Sequence, residues 1–272
     1  MSSGGPPGRS WGAGLPSATA ADGETVPVLR PSTVRPSIVS PAARKAIRAR
    51  MLFLRSASLA KVRELTGVGE ADLQRFRREL RESDLPDVLL RRGAGLAFTH
   101  ELPQGALLYL LVRAAAPDRV VETGVRPGYT TAWILSALEA AGRGELVSLG
   151  PGPGAGRAAA VQHVSVGQFV PPSLRSRWTL ALGNSEARLR EILASTSRVD
   201  VFLYDNGPDA ARARFELRAA WDALSPRGLL LAHRVDATPA WAEFCERQGL
   251  RPQLLDPGPP PMGALGVRSP SG

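Results

Sequence analysis

From residue 105 onward the chain alternates short apolar runs with amphipathic stretches, and this alternation restricts the folds open to it. The runs RVVET at 119–123, ELVSL at 145–149, RWTLAL at 177–182, VDVFLY at 199–204 and GLLLAH at 228–233 read as buried strands. Helical patterns cover 105–116, 129–141, 185–195, about 209–224 and about 237–248. Apolar strands separated by helices make βαβ units, and these build a mainly parallel sheet covered on both faces. Two last strand candidates, 251–255 and 264–268, have no long helix between them and suggest an antiparallel edge hairpin. Ligands of such sheets bind beyond the carboxyl ends of the strands, near the point where strand order reverses. Functional residues are therefore expected just after 123, 149, 183, 204 and 232.

What precedes the alternation divides in two. Residues 1–39 are rich in Gly, Pro, Ser and Thr and cannot bury enough apolar surface to offset the entropy of ordering, so they read as a disordered tail. Ser40-Pro41 is a helix-start signal and opens a helical extension over 40–97. The extension either covers the core or forms a homodimer contact. Residues 98–272 make up the main domain. The formal charge of +9 suggests nucleic acid, but the first fifty positions hold seven basic against two acidic side chains, so over half of the excess lies ahead of the main domain. Only Lys45 and Lys61 are lysines, and no nucleic-acid-binding motif accompanies the arginines. A nucleic-acid partner is therefore not expected. The longest apolar stretch, at 106–112, is too short to span a bilayer, and no secretory signal is present, so a cytoplasmic protein is expected. The single cysteine, Cys245, excludes an intramolecular disulfide framework and reads as helix packing beside Trp241 and Phe244. Core packing is likewise the reading for Trp133, Trp178 and Trp221.

After the first strand the chain reads E-T-G-V-R-P-G-Y-T-T, with Glu122, Gly124 and Gly128. A tight strand-to-helix turn needs glycine, and a backbone without Cβ lets a ligand come close to a helix N-terminus. The spacing is neither the dinucleotide fingerprint nor a phosphate loop. Together, VVETGVRPGYTT at 120–131, VPPSLRSRWTLALGNS at 170–185, FLYDN at 202–206 and SPRGLLLAHRV at 225–235 resemble class I S-adenosylmethionine-dependent methyltransferases, in matching order. The resemblance implies an α/β, Rossmann-like seven-stranded methyltransferase sheet with helices on both faces. It also implies that Glu122, Thr123, Gly124, Gly128, Tyr129 and Thr130 surround the amino-acid end of S-adenosylmethionine, while Asn184 and Ser185 lie on the adenine side.

The departures from that pattern carry as much information. Relatives end the second strand in Asp or Glu, which accepts from the ribose hydroxyls; here Gly150 follows VSL. The missing charge-assisted contact is worth roughly 1.5–3 kcal/mol. Acidic positions that hold a divalent cation in metal-using branches are replaced, leaving Asp205 as the carboxylate and placing His233 and Arg234 after the fifth strand. A hard cation needs several oxygens, so no catalytic metal is expected. Asp205 and His233 project from adjacent strand ends, and a histidine beside a carboxylate can act as a general base. The alternative is that His233 simply closes a strand and Asp205 forms a turn or cap. His100 reads as part of an N-terminal turn, and His163 carries no signal. Three functions follow: methyl transfer to a small-molecule acceptor with S-adenosylhomocysteine as product, a catalytically silent scaffold or regulatory partner of the same fold, or the same fold running other chemistry.

Overall fold

The computed structural model describes residues 54–94, 101–152, 165–183, 185–196, 198–256, 258 and 260–266. The tail, the helix start at Ser40-Pro41, His100, His163 and Asn184 lie outside the described residues. Three helices, α1 (Ser56–Thr66), α2 (Glu70–Glu82) and α3 (Leu85–Leu89), precede α4 (Leu102–Ala115). The alternation follows as β1 (Arg119–Thr123), α5 (Tyr129–Ala141), β2 (Glu145–Pro151), β3 (Trp178–Gly183), α6 (Ser185–Ser195), β4 (Val199–Tyr204), α7 (Ala210–Ala223), β5 (Leu224–His233) and α8 (Ala240–Arg247). Strands β6 (Leu254–Asp256) and β7 (Met262–Gly266) follow.

The seven strands form one sheet in the order β3-β2-β1-β4-β5-β7-β6. Strands β1 to β5 run parallel, and β7 is antiparallel to both β5 and β6. The expected terminal hairpin is present, but β7 wedges between β5 and β6 and leaves β6 at the edge. Strand β2 continues past Leu149 because Gly150 and Pro151 pair with Leu182 and Gly183 of β3. Gly150 is therefore strand backbone, where the sequence suggested the start of a loop.

Alternate strand residues face opposite helical layers. Val120, Leu146, Leu203 and Leu231 pack toward α4 and α5, whereas Val121, Val147, Phe202 and Leu230 pack toward α6, α7 and α8. Leu73, Phe76 and Leu80 of α2 and Val62 of α1 are buried in the same cluster as α4 and α5. The apolar faces of α1 and α2 are thus spent on this domain. Arg113 of α4 donates to Glu79 at 2.9 Å and lies 4.3 Å from the Phe76 ring centre, tying the extension to α4.

Helix α4 lies close against α5 at Gly105. A Cβ there would fall inside the Trp133 indole, which is fully buried. Gly105→Ala should therefore push α4 off α5 and cost about 1–3 kcal/mol in denaturant unfolding. Gly207→Ala, exposed and with open space around it, should change stability by no more than about 0.5 kcal/mol. Equal losses in the two variants would show that the close approach is not needed.

Candidate active site

The two-residue period places four polar side chains on one face at the carboxyl end of the sheet. Glu122 follows the parity of Val120, Ser148 that of Leu146, Asp205 that of Leu203, and His233 that of Leu231. All four are buried under α4 and α5. Buried polar groups need partners, and these find them in one another and in the first turns of the two helices.

Glu122 is fully buried. Thr130 donates to its Oε1 at 2.5 Å, and Thr131 and Ser148 donate to its Oε2 at 2.7 and 2.6 Å. Ser148 in turn accepts from the Trp178 indole N–H at 3.0 Å, so Trp178 has a polar role beyond packing. On the other side, Thr130 Oγ1 is 3.3 Å from Asp205 Oδ2. Asp205 Oδ1 is 2.8 Å from His233 Nδ1, and His233 Nε2 is 2.8 Å from Gln104 Oε1. Gln104 donates from Nε2 to the Pro260 carbonyl, just before β7. A row of buried polar contacts therefore crosses the sheet from β3 to the segment leading into β7.

The glycine turn is shaped by this row. Gly124 has φ +89°, and a Cβ there would strike the Asp205 backbone carbonyl. Asp205 N donates to Thr123 O at 3.0 Å, which closes the same contact. Gly128, also at φ +89°, is the N-cap of α5, and no side chain caps that helix. Residues 165–171 brace the turn: Gly167 N donates to Arg126 O at 2.9 Å and Phe169 N to Pro127 O at 2.8 Å. Thr123 Oγ1 is buried and has no hydrogen-bond partner among the described residues. Ser185 is the first residue of α6.

The structure thus brings Glu122, Thr123, Gly124, Gly128, Tyr129, Thr130, Asp205 and His233 into one neighbourhood. Glu122 is committed to protein hydroxyls and holds the turn and the first turn of α5 together. Burial raises the Tyr129 phenol far above its usual range, so it is no general base at neutral pH. Gln104 is the member of this row that the sequence did not single out. Its available signal was Pro103 within the first helical turn, which puts Gln104 at the end of α4 nearest the strand termini. A narrow cleft lined by Glu101, Gln104, Gly105, Leu108, Tyr129, Thr130, His233 and Met262 opens beside the His–Gln contact. Arg126, half-exposed, stands 3.8 Å from Asp205. Among the described residues no three His, Cys, Asp or Glu side chains converge to hold a metal ion, and no helix is long and apolar enough to cross a membrane.

Burial raises the Glu122 carboxyl above its ordinary 4.5. The hydroxyls of Ser148, Thr130 and Thr131 oppose the rise, and the charge of Asp205 adds to it. The folded chain then keeps a proton that the unfolded chain releases, so stability falls as pH climbs from about 4.5 toward the folded value. Glu122→Gln has no such proton and should lose that part of the slope. Unfolding free energies measured from pH 4.5 upward would contradict this account if both proteins gave parallel profiles.

Residues 121–235 match the family model described as a methyltransferase domain. Among solved structures, the methyltransferase PaMTH1 of Podospora anserina, bound to SAH, is 16% identical, with 75% of this chain and 97% of that chain covered at a TM-score of 0.50. The O-methyltransferase TomG of Streptomyces achromogenes, involved in tomaymycin synthesis and solved with SAM, is 18% identical (69% and 91% covered, TM-score 0.49). The O-methyltransferase of Bacillus cereus in complex with SAH is also 18% identical (69% and 91% covered, TM-score 0.47). Comparison with curated protein sequences finds no match. The strand order, the glycine turn after β1 and the family match agree: the fold is an α/β, Rossmann-like methyltransferase sheet, and residues 121–235 are similar to a methyltransferase domain.

Proposed function

We propose that the protein transfers a methyl group from S-adenosylmethionine to a hydroxyl of a small-molecule acceptor, without a metal, in the cytoplasm. The observation that carries this reading is the buried Asp205–His233 pair, set at the ends of β4 and β5 beside the glycine turn of β1. This is where an open parallel sheet binds ligands.

The residues fit the amino-acid end of the cofactor. The turn at Gly124–Gly128, the N-terminus of α5 without a side-chain cap, and the unpartnered Thr123 hydroxyl offer backbone and side-chain donors there. The ribose end is poorer, since Gly150 supplies no carboxylate. A Cβ at 150 would stand 3.0 Å from Val125 Cγ1 and 3.1 Å from Leu182 Cδ2. When bound, S-adenosylmethionine supplies a sulfonium methyl whose bond to sulfur breaks as the acceptor oxygen attacks, the bonding pair staying on sulfur in S-adenosylhomocysteine. His233 takes the acceptor's hydroxyl proton at Nε2, and Asp205 at Nδ1 orients the ring and stabilises its charge. Leu108 and Met262 wall the cleft beside His233 and limit its access to water.

A second reading, a methyltransferase fold that acts as a scaffold, is favoured by the crowding at Gly150 and by the full commitment of Glu122 to protein groups. Dimerisation belongs with either reading. It would use surfaces other than the buried faces of α1 and α2, and sedimentation decides it.

Titration calorimetry with S-adenosylmethionine and S-adenosylhomocysteine separates the two. Binding of both is expected, and no heat at millimolar ligand removes the methyl-transfer reading. His233→Ala should leave cofactor affinity unchanged while lowering turnover about 10²–10⁴-fold. Unchanged turnover would remove His233 as the base. Gly150→Asp should tighten cofactor binding, provided Val125 and Leu182 yield to the new side chain. Weaker binding would show that packing at 150 outweighs ribose recognition.

A further inference from the structure

His233 has an acceptor on each side. Nδ1 faces the Asp205 carboxylate and Nε2 faces an amide oxygen, both at 2.8 Å. The orientation of the Gln104 amide is not arbitrary, because its other end meets the Pro260 carbonyl, which only accepts. The amide NH₂ must point there, so the oxygen points at His233. Nε2 must then carry a proton and donate it to Gln104. Toward Asp205 the contact is satisfied by a second ring proton or by a proton on the carboxyl group, and in both cases Nε2 has no lone pair to offer.

Resting on the methyl-transfer reading above, we propose that Gln104 is a positioning residue that keeps a proton on His233 Nε2, so that this nitrogen becomes a base only when the amide gives it up. The acceptor hydroxyl then takes the place of Gln104 Oε1, donating where the amide accepted. The ring switches to the tautomer with Nδ1–H toward Asp205 and a lone pair at Nε2. The proton balance is complete: the Nε2 proton of the resting pair leaves to solvent as the ring changes state, and the acceptor's own proton later arrives at the same atom. Among the described residues no competing donor reaches Nε2. Arg126 and Thr130 address Asp205, and Arg234 pairs with Glu101 at 3.7 Å. Gln104 is itself buried and held on the far side by Pro260, so its contact with His233 is built into the fold.

The test reads protons directly on the full chain. Long-range ¹H–¹⁵N spectra at neutral pH report which imidazole nitrogens are protonated. With three histidines in the chain, the His233 signals are those lost in His233→Asn. A proton on Nε2 is expected in the wild type. Gln104→Met, which keeps the length and removes the amide oxygen, should give a bare Nε2 with the proton on Nδ1. A bare Nε2 in the wild type, or a protonated Nε2 in Gln104→Met, overturns the proposal. Should Gln104→Met fail to fold, the wild type decides, since a bare Nε2 there overturns the proposal. The readout does not depend on methyl transfer. Absence of cofactor binding in calorimetry would sink the functional reading while the spectra still judged the His–Gln contact, and the reverse holds equally.

Discussion

A carboxylate taken fully out of water must be met by donors, and the placement of Glu122 sets much of what surrounds it. Its three hydroxyl partners come from β2 and from the first turn of α5, so satisfying one charge fixes the spacing of β1 and β2 and the start of the helix after the glycine turn. Thr130 then touches Asp205, and the row passes through His233 to Gln104 and the C-terminal strands. In such a row each group orients its neighbour, and the low dielectric strengthens the whole as long as no member is left unpaired. Removing one partner leaves a buried group exposed to its full desolvation cost, about 1–3 kcal/mol or more for a charge.

Much of this was legible in the sequence because it depends on local period. The five parallel strands announce themselves as apolar runs, and two-residue alternation puts Glu122, Asp205 and His233 at their carboxyl ends. What was not legible depends on pairing between distant segments. Nothing in MGALG at 262–266 says that it will insert between β5 and RPQLL's strand, since that choice is made by β5 offering its free edge. Gly150 reads as loop until β3 pairs with it. Gln104 looks like a helix-start residue, and only the convergence of α4, β5 and the β6–β7 connection gives it a function.

The helical extension has a part in this as well. By burying Leu73, Phe76 and Leu80 against α4 and tying Arg113 to Glu79, it holds the helix that carries Gln104. The Gly105–Trp133 contact fixes the same helix from the side of α5. A side chain that controls a single proton needs a support that does not drift, and α4 is packed on two sides near that residue.

The Pro260 carbonyl that orients Gln104 has a bearing on how the molecule is made. The glycine turn, the carboxylates and His233 all leave the ribosome before residue 260 does. Until the final hairpin closes beside β5, the amide of Gln104 has no acceptor to turn toward and His233 no fixed neighbour at Nε2. The buried polar row is therefore completed by strands that are synthesised after all of its other members and are among the shortest in the sheet. Synthesis and folding of the preceding domain can run their course with the histidine not yet set to its resting state.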